Sequence, residues 1–236
     1  MIIDIVTIFP NFFNEFLETS IVKRAIAKES VTINIHDLRE YSNNKHKQID
    51  DTPYGGGVGM VMTFPPFYEL ITKLKQPFSK VIFLTPQGNV FNQNQAVDLS
   101  KEKHLILLCG HYEGVDARVL ELVDYEISIG DYVLTGGEIP AMILSDAIVR
   151  LLPGVIMEES HQSDSLSNDR LKYPQYTKPE EYKGYIVPEV LVSGHHGNIE
   201  KYRELMAIKT TMEKRPDLIE KTPLTEKEVK ILEENK

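Results

Sequence analysis

Leu105-Ile106-Leu107-Leu108-Cys109-Gly110-His111-Tyr112-Glu113-Gly114-Val115-Asp116 runs from five apolar residues into a loop bearing two glycines, then into a helical pattern from Val115 to Leu122. An apolar run that short, closed by turn residues, reads as a strand buried on both faces. The same punctuation recurs at Val81 to Leu84 before Thr85-Pro86-Gln87-Gly88, and at Tyr125 to Ile129 before Gly130. Upstream, Ile2 to Phe9 is a further apolar strand ended by Pro10, and Val31 to Ile35 alternates as a half-buried strand does. Helical patterns lie between them at Phe12 to Leu17, Ile21 to Lys28, Pro66 to Leu74 and Gln93 to Leu99. Another runs from Ile139 to Leu152 and stops at Pro153-Gly154. Alternating strands and helices predict an α/β domain with a largely parallel sheet. Ligands in such sheets sit at the carboxyl ends of the strands. The loops after Leu84, Cys109 and Ile129 are therefore the candidate site, forming an apolar, backbone-lined cleft suited to an adenosine-sized ligand. A side chain at Gly137 is expected to enter that cleft.

The α/β pattern, residues 1–157, ends at a change of composition. From Glu158 to Asn168 the chain is polar and serine-rich, which marks residues 158–170 as a linker. Residues 171–236 read as a small helical C-terminal domain. Thr177-Lys178-Pro179-Glu180 and Thr225-Glu226-Lys227-Glu228 both fit a capping box. Tyr202, Leu205, Met206, Lys209 and Met212 mark one face of a helix ended by Pro216.

The 236 residues carry a formal net charge of -9, which argues against a generic nucleic-acid binder. The excess is not uniform: residues 171–236 hold 12 basic and 12 acidic side chains, and residues 1–170 hold 14 and 23. A polyanion can still be held by local patches, for which Lys23-Arg24, Lys45-His46-Lys47, Lys172 with Lys178, and Lys209 to Arg215 are candidates. A single cysteine, Cys109, excludes an intramolecular disulfide, and its apolar setting predicts a buried hydrophobe. The absence of a basic leader and of a long apolar run gives the expectation of a cytoplasmic protein with no membrane partner.

Gly55-Gly56-Gly57-Val58-Gly59 places four glycines in five residues without the lysine of a P-loop. Such a run has high unfolded-chain entropy, so it predicts close backbone approach to a ligand. No metal site is expected, because the adjacent His195-His196 point apart on regular structure and no HExxH occurs.

Taken together these stretches resemble the bacterial tRNA (guanine-N1)-methyltransferase family. The segments that match are Ile8-Phe9-Pro10, Asp50 through Met60, Leu84 through Gly88, Cys109 through Gly114, Ser128 through Glu138, Tyr173 through Pro179, and Val192 through His196. They occur in family order over nearly the whole chain. The resemblance implies a SPOUT fold, in which a parallel sheet forms a deep trefoil knot around the methyl donor, S-adenosylmethionine. It also implies a homodimer with the active site at its interface, and tRNA as partner. By correspondence the donor site is Leu84, Pro86, Gly110, Ile129, Gly130, Asp131, Tyr132, Val133, Leu134, Gly136, Gly137 and Pro140. Substrate contacts fall to Glu113 and Tyr112 and to Gly55, Gly56 and Gly57.

The family's catalytic arginine corresponds to Arg150. Its catalytic carboxylate corresponds to Asp164 within Ser163-Asp164-Ser165, where this chain lacks the acidic residue that precedes it in the family. A linker glycine of the family is replaced by Asp169, a competing carboxylate. Guanine N1 is protonated at neutral pH, so the implied reaction needs Asp164 as base and Arg150 to stabilise charge developing on O6. Two rivals are a non-catalytic RNA-binding module on the same fold and a ribose 2′-O-methyltransferase. Presence of both Asp164 and Arg150 disfavours the first. The Tyr54-to-Met60 stretch and the C-terminal extension disfavour the second.

Overall fold

A computed structural model describes residues 1–157, 164–166 and 168–235. The chain divides into two compact units, Met1–Met157 and Glu158–Lys236. In the first, β1 (Ile2–Thr7), β2 (Thr32–Asp37), β5 (Ser79–Val90), β6 (His104–Cys109) and β7 (Tyr125–Ser128) form one sheet in the order β2-β1-β6-β5-β7. Helices α1 (Asn14–Leu17) and α2 (Ser20–Ala27) connect β1 to β2, and β3 (Asp50–Asp51) pairs antiparallel with β4 (Val61–Met62). Every neighbouring pair is parallel. The apolar run at 105–109 therefore lies in the central strand, β6, all six of whose residues are buried.

Its side chains alternate between two cores, as the two-residue period of a strand requires. Leu105, Leu107 and Cys109 pack with Ile3, Ile5 and Ile82 against Ala141, Leu144 and Ile148 of α5 (Glu138–Val149). Ile106 and Leu108 face the other way, onto Phe67, Leu70 and Ile71 of α3 (Phe64–Leu74). Two helical layers enclose the sheet, which is why β1, β6 and the first part of β5 read as unbroken apolar runs, whereas edge strand β2 alternates and has no buried residue. At the sheet's other end Asp4 accepts from Asn34 at 2.8 Å and shares bonds with His36 at 2.9 Å and His104 at 2.7 Å. Burial pushes the Asp4 carboxyl up, but the bonds from His36, Asn34 and His104 outweigh it and hold it below the usual range.

Several elements depart from the pattern read in the sequence. Thr85 to Gly88 is not a simple turn after a strand: β5 continues to Val90, with its register against β7 broken between Leu84 and Asn89. Val115 to Leu122 does not form an α-helix. Val115 bridges to Met62 of β4 (Val61–Met62), and the remaining residues make a 3₁₀ helix, Ala117–Leu122, capped by Asp116. The helix preceding Pro153-Gly154 ends at Val149. By contrast, α4 (Gln93–Leu99) occupies the expected residues, fixed by a capping box between Asn92 and Gln95.

The second unit contains a hairpin, Glu181–Tyr182 with Tyr185–Ile186, and helices Glu189–Val192, His196–Lys214, Pro216–Lys221 and Glu226–Glu234. The capping box at Thr225 and Glu228 is present. The one at Thr177 is not, because its residues lead into the hairpin. There Lys183 and Gly184 both adopt positive φ, the geometry a two-residue hairpin turn favours, and Gly184 N–H donates to Glu181 Oε1 at 2.7 Å. The buried face of the long helix is Leu205, Ile208 and Thr211, whereas Lys209 and Met212 are exposed. Among the described residues no helix is long and apolar enough to cross a membrane.

Candidate active site

Parallel strands β6, β5 and β7 lie side by side, so their carboxyl ends deliver three loops to one edge. These loops enclose a cleft of about 520 Å³. From β5 come Leu84 and Pro86; from β6 come Gly110, Tyr112 and Glu113; from β7 come Ile129, Gly130, Tyr132, Val133, Leu134, Gly136 and Gly137, with Pro140 at the start of α5. Asp131 is the one proposed donor-site residue that does not line it, and it is exposed. Thr85, Gln87, His111 and Thr135 line it without having been singled out.

Glycine is required here for a reason the sequence reading did not supply. The expectation was that a side chain at Gly137 would enter the cleft. Instead, a Cβ at Gly137 would lie 2.6 Å from Cys109 Cα and 3.0 Å from Gly110 N. Gly137 N–H also donates to Gly110 O at 3.0 Å. The β6 and β7 loops are thus joined backbone to backbone. A Cβ at Gly88 would overlap the backbone at Glu126, so this glycine lets the displaced part of β5 lie against β7. Ser128 stabilises the β7 exit: Gly130 N–H donates to its hydroxyl at 3.2 Å, and the hydroxyl donates to Gly130 O at 3.1 Å. Tyr132 OH donates to Ile129 O at 3.2 Å.

At the cleft wall is a polar group of three residues far apart in sequence, Thr7 and Glu138 buried and His111 half-buried. Thr7 Oγ1 donates to Glu138 Oε1 at 2.6 Å, and His111 Nε2 lies 2.6 Å from Glu138 Oε2. Glu138 is the first residue of α5, where the helix dipole favours a carboxylate. The ring of His111 occupies the space that any Cβ at Gly136 would need. Sequence reasoning missed Glu138, Thr7 and His111 as site residues. The available signal was the acidic residue closing the Gly136-Gly137-Glu138 stretch. Cys109 is fully buried, and burial, then the nearby Glu138 charge, pushes its thiol well up, which suits packing rather than nucleophilic attack.

Gly55, Gly56 and Gly57 do not line the cleft. All three adopt positive φ, and a Cβ at Gly55 or Gly56 would meet nothing within 4 Å. The positive φ at all three favours glycine, and the open space beside Gly55 and Gly56 leaves their backbone accessible. The stretch is nevertheless tied to the β6 loop: Glu113 N–H donates to Met60 O at 3.0 Å, Met62 N–H to Gly114 O at 2.9 Å, and Asp116 N–H to Met62 O at 2.8 Å. Gly59 packs on the Glu113 side chain.

Arg150 caps the carboxyl end of α5, in the first unit. Asp164 belongs to the second, where its carboxylate lies 3.5 Å from Lys172 Nζ. Ser163 lies outside the described residues. Asp169 is engaged structurally, accepting from Lys221 at 3.0 Å and Thr222 at 2.8 Å, and the Lys221 bond leads the effects that hold its carboxyl below the usual range. The neighbouring Arg170 bonds Glu228 at 2.8 and 3.1 Å and the carbonyls of Thr222 and Pro223. The basic patches are partly neutralised, since Lys23 pairs with Glu18 at 2.7 Å and Arg215 with Asp217 at 2.6 Å.

A profile of the family described as tRNA (Guanine-1)-methyltransferase TrmD matches residues 1–221. Curated relatives named tRNA (guanine-N(1)-)-methyltransferase align along almost the entire chain. The one from Aster yellows witches'-broom phytoplasma is 57% identical over 100% of this chain and 98% of its own length. That from Acholeplasma laidlawii is 58% identical over 98% and 96%. That from Staphylococcus aureus is 51% identical over 100% and 98%.

Proposed function

The chain belongs to the tRNA (guanine-1)-methyltransferase family, and we propose that it methylates N1 of the guanosine 3′-adjacent to the anticodon, with S-adenosylmethionine as donor. The observation that carries this reading is the backbone-joined, glycine-lined cleft at the carboxyl edge of β5, β6 and β7.

The residues present fit the donor. Gly110, Gly136 and Gly137 offer backbone surface without side chains, Ile129 and Leu134 offer apolar walls, and the cleft volume falls in the range of small-molecule sites. When bound, the donor supplies a methyl group already made electrophilic by its sulfonium. What remains for the chain is to unmask and align the guanine. Asp164 takes the proton from N1, exposing its lone pair. Arg150 donates to O6 as negative charge spreads there. Glu113 accepts from the guanine amino group, Tyr112 lies beside it, and the stretch through Gly55, Gly56 and Gly57, bonded to the Glu113 loop, approaches the same substrate.

The same reading includes a trefoil knot around the donor and a homodimer. Support for the dimer comes from exposed apolar side chains: Phe9 and Phe12 at the 3₁₀ turn Pro10–Phe13, and Ile139 and Ile143 one turn apart on α5, which packs against that turn. Residues 1–157 are then the catalytic part, 158–170 the linker and 171–236 the tRNA-binding part, in a cytoplasmic enzyme. Transfer of labelled methyl to otherwise identical tRNA transcripts bearing guanosine or adenosine next to the anticodon tests the proposal. Label should enter only the guanosine transcript; equal labelling of both would overturn it.

A further inference from the structure

The second unit has a cleft of its own, about 450 Å³, between the segment that begins at Tyr173 and the start of the helical region. One wall is a stacked pair, with the Arg203 guanidinium 5.0 Å from the centroid of the Tyr173 ring. Leu191 and Val192 supply an apolar side, and Gln175, Lys178 and Glu180 stand around it. Tyr176 also lines the cleft.

This combination matches one kind of ligand. A tyrosine ring and a guanidinium plane offer flat faces on which an aromatic ring stacks irrespective of its identity. Lys178 and Arg203 provide positive charge in a chain whose net charge is -9, as a phosphate requires. Gln175 and Glu180 provide the amide and carboxylate that bond the edge of a base. An apolar peptide would use Leu191 and Val192 but would leave the charged groups without partners. We propose that this cleft captures one unpaired nucleotide of the substrate tRNA, its base stacked on the Tyr173–Arg203 pair and its phosphate near Lys178. The inference rests on the reading of tRNA as substrate and adds a second point of attachment, on the unit that does not carry the methyl-donor cleft.

The test uses the full-length protein and an unmodified tRNA transcript carrying the target guanosine. Affinities for tRNA at several salt concentrations, and for S-adenosylmethionine by calorimetry, are measured for Tyr173→Leu, Tyr173→Phe and Val192→Glu. Loss of the stacking face should weaken tRNA binding roughly ten-fold or more while leaving the salt slope unchanged, since stacking releases no counterions. Tyr173→Phe keeps the ring and should bind as wild type. Val192 is 49% exposed, so Val192→Glu should fold normally and place a negative charge at the mouth of the cleft, again weakening tRNA binding. Donor affinity should stay at the wild-type value throughout. Wild-type tRNA affinity in Val192→Glu, or equal loss in the Phe and Leu variants, would overturn the stacking proposal. If Tyr173→Leu proves misfolded by circular dichroism, Val192→Glu decides alone. A wild-type protein that failed to methylate the transcript would instead overturn the proposed function.

Discussion

Gly137→Ala adds one methyl group and should disable the donor cleft by moving its floor rather than by filling it. The added Cβ would sit 2.6 Å from Cys109 Cα, about 0.8 Å short of ordinary contact at 3.4 Å. Both partners are backbone, and Cys109 is locked in the central strand, so the α5 end must yield. Movement of that size lengthens the 3.0 Å bond from Gly137 N–H to Gly110 O beyond useful range. Overpacking contributes a loss of roughly 1–3 kcal/mol, and the hydrogen bond about 1 kcal/mol more. A total near 2–4 kcal/mol should appear as a lower denaturation midpoint with unchanged slope. Calorimetry should show donor affinity falling together with stability, because the β6 and β7 loops no longer hold their spacing. Gly55→Ala is the internal comparison. Nothing lies within 4 Å of its Cβ, so only the positive φ of 86° is penalised, by roughly 1–2 kcal/mol, with no change in donor affinity. A Gly137→Ala protein with stability within about 0.5 kcal/mol of wild type and wild-type donor affinity would refute the close-approach argument.

Asp164→Asn keeps the side chain's shape but cannot take the N1 proton. Single-turnover methyl transfer should nearly vanish while donor affinity measured by calorimetry is retained, and near-normal turnover would shift the base to another group. Glu138→Gln should reduce stability by about 1–3 kcal/mol, because the charge-assisted bonds to His111 and Thr7 become neutral ones inside a buried site. Urea denaturation checks this, and an unchanged midpoint would show that the carboxylate charge contributes nothing. Glu228, held by Arg170, has its carboxyl lowered from 4.5 to about 2. Its pair stabilises the second unit fully above about pH 4.5, and that contribution is lost as pH falls toward 2. Acid titrations followed by circular dichroism should show this loss in wild type and a flatter dependence in Glu228→Gln. Parallel curves would exclude the pair as its source.

The centre of the sheet was legible because its strands are buried on both faces: Leu105 to Cys109 can be read as a strand without knowing its neighbours. The same holds for α4, whose residues carry their own cap. Where the reading failed, a distant partner decided the outcome. Val115 pairs with Met62 instead of starting a helix, and Thr177 precedes a hairpin set by Lys183-Gly184 rather than a helix. The three loops of the cleft were found from glycines after strands. The reason for Gly137 depends on the position of Cys109, which spacing does not reveal. The Thr7–Glu138–His111 group was invisible for the same reason, since Thr7 and Glu138 are 131 residues apart. Asp164 and Arg150 owe their assignment to family resemblance, since an acid in a serine-rich segment and an arginine at a helix end are ordinary surface residues by sequence alone.

The chemical identity of the methylated nucleoside tests the central claim most directly. Purified protein, S-adenosylmethionine and a tRNA transcript with guanosine next to the anticodon are incubated, digested to nucleosides and resolved by mass spectrometry against standards. The cleft and the family together predict 1-methylguanosine, with its extra mass on the base fragment and none on the ribose. A 2′-O-methylated nucleoside, or a product methylated at another guanine nitrogen, would contradict the account.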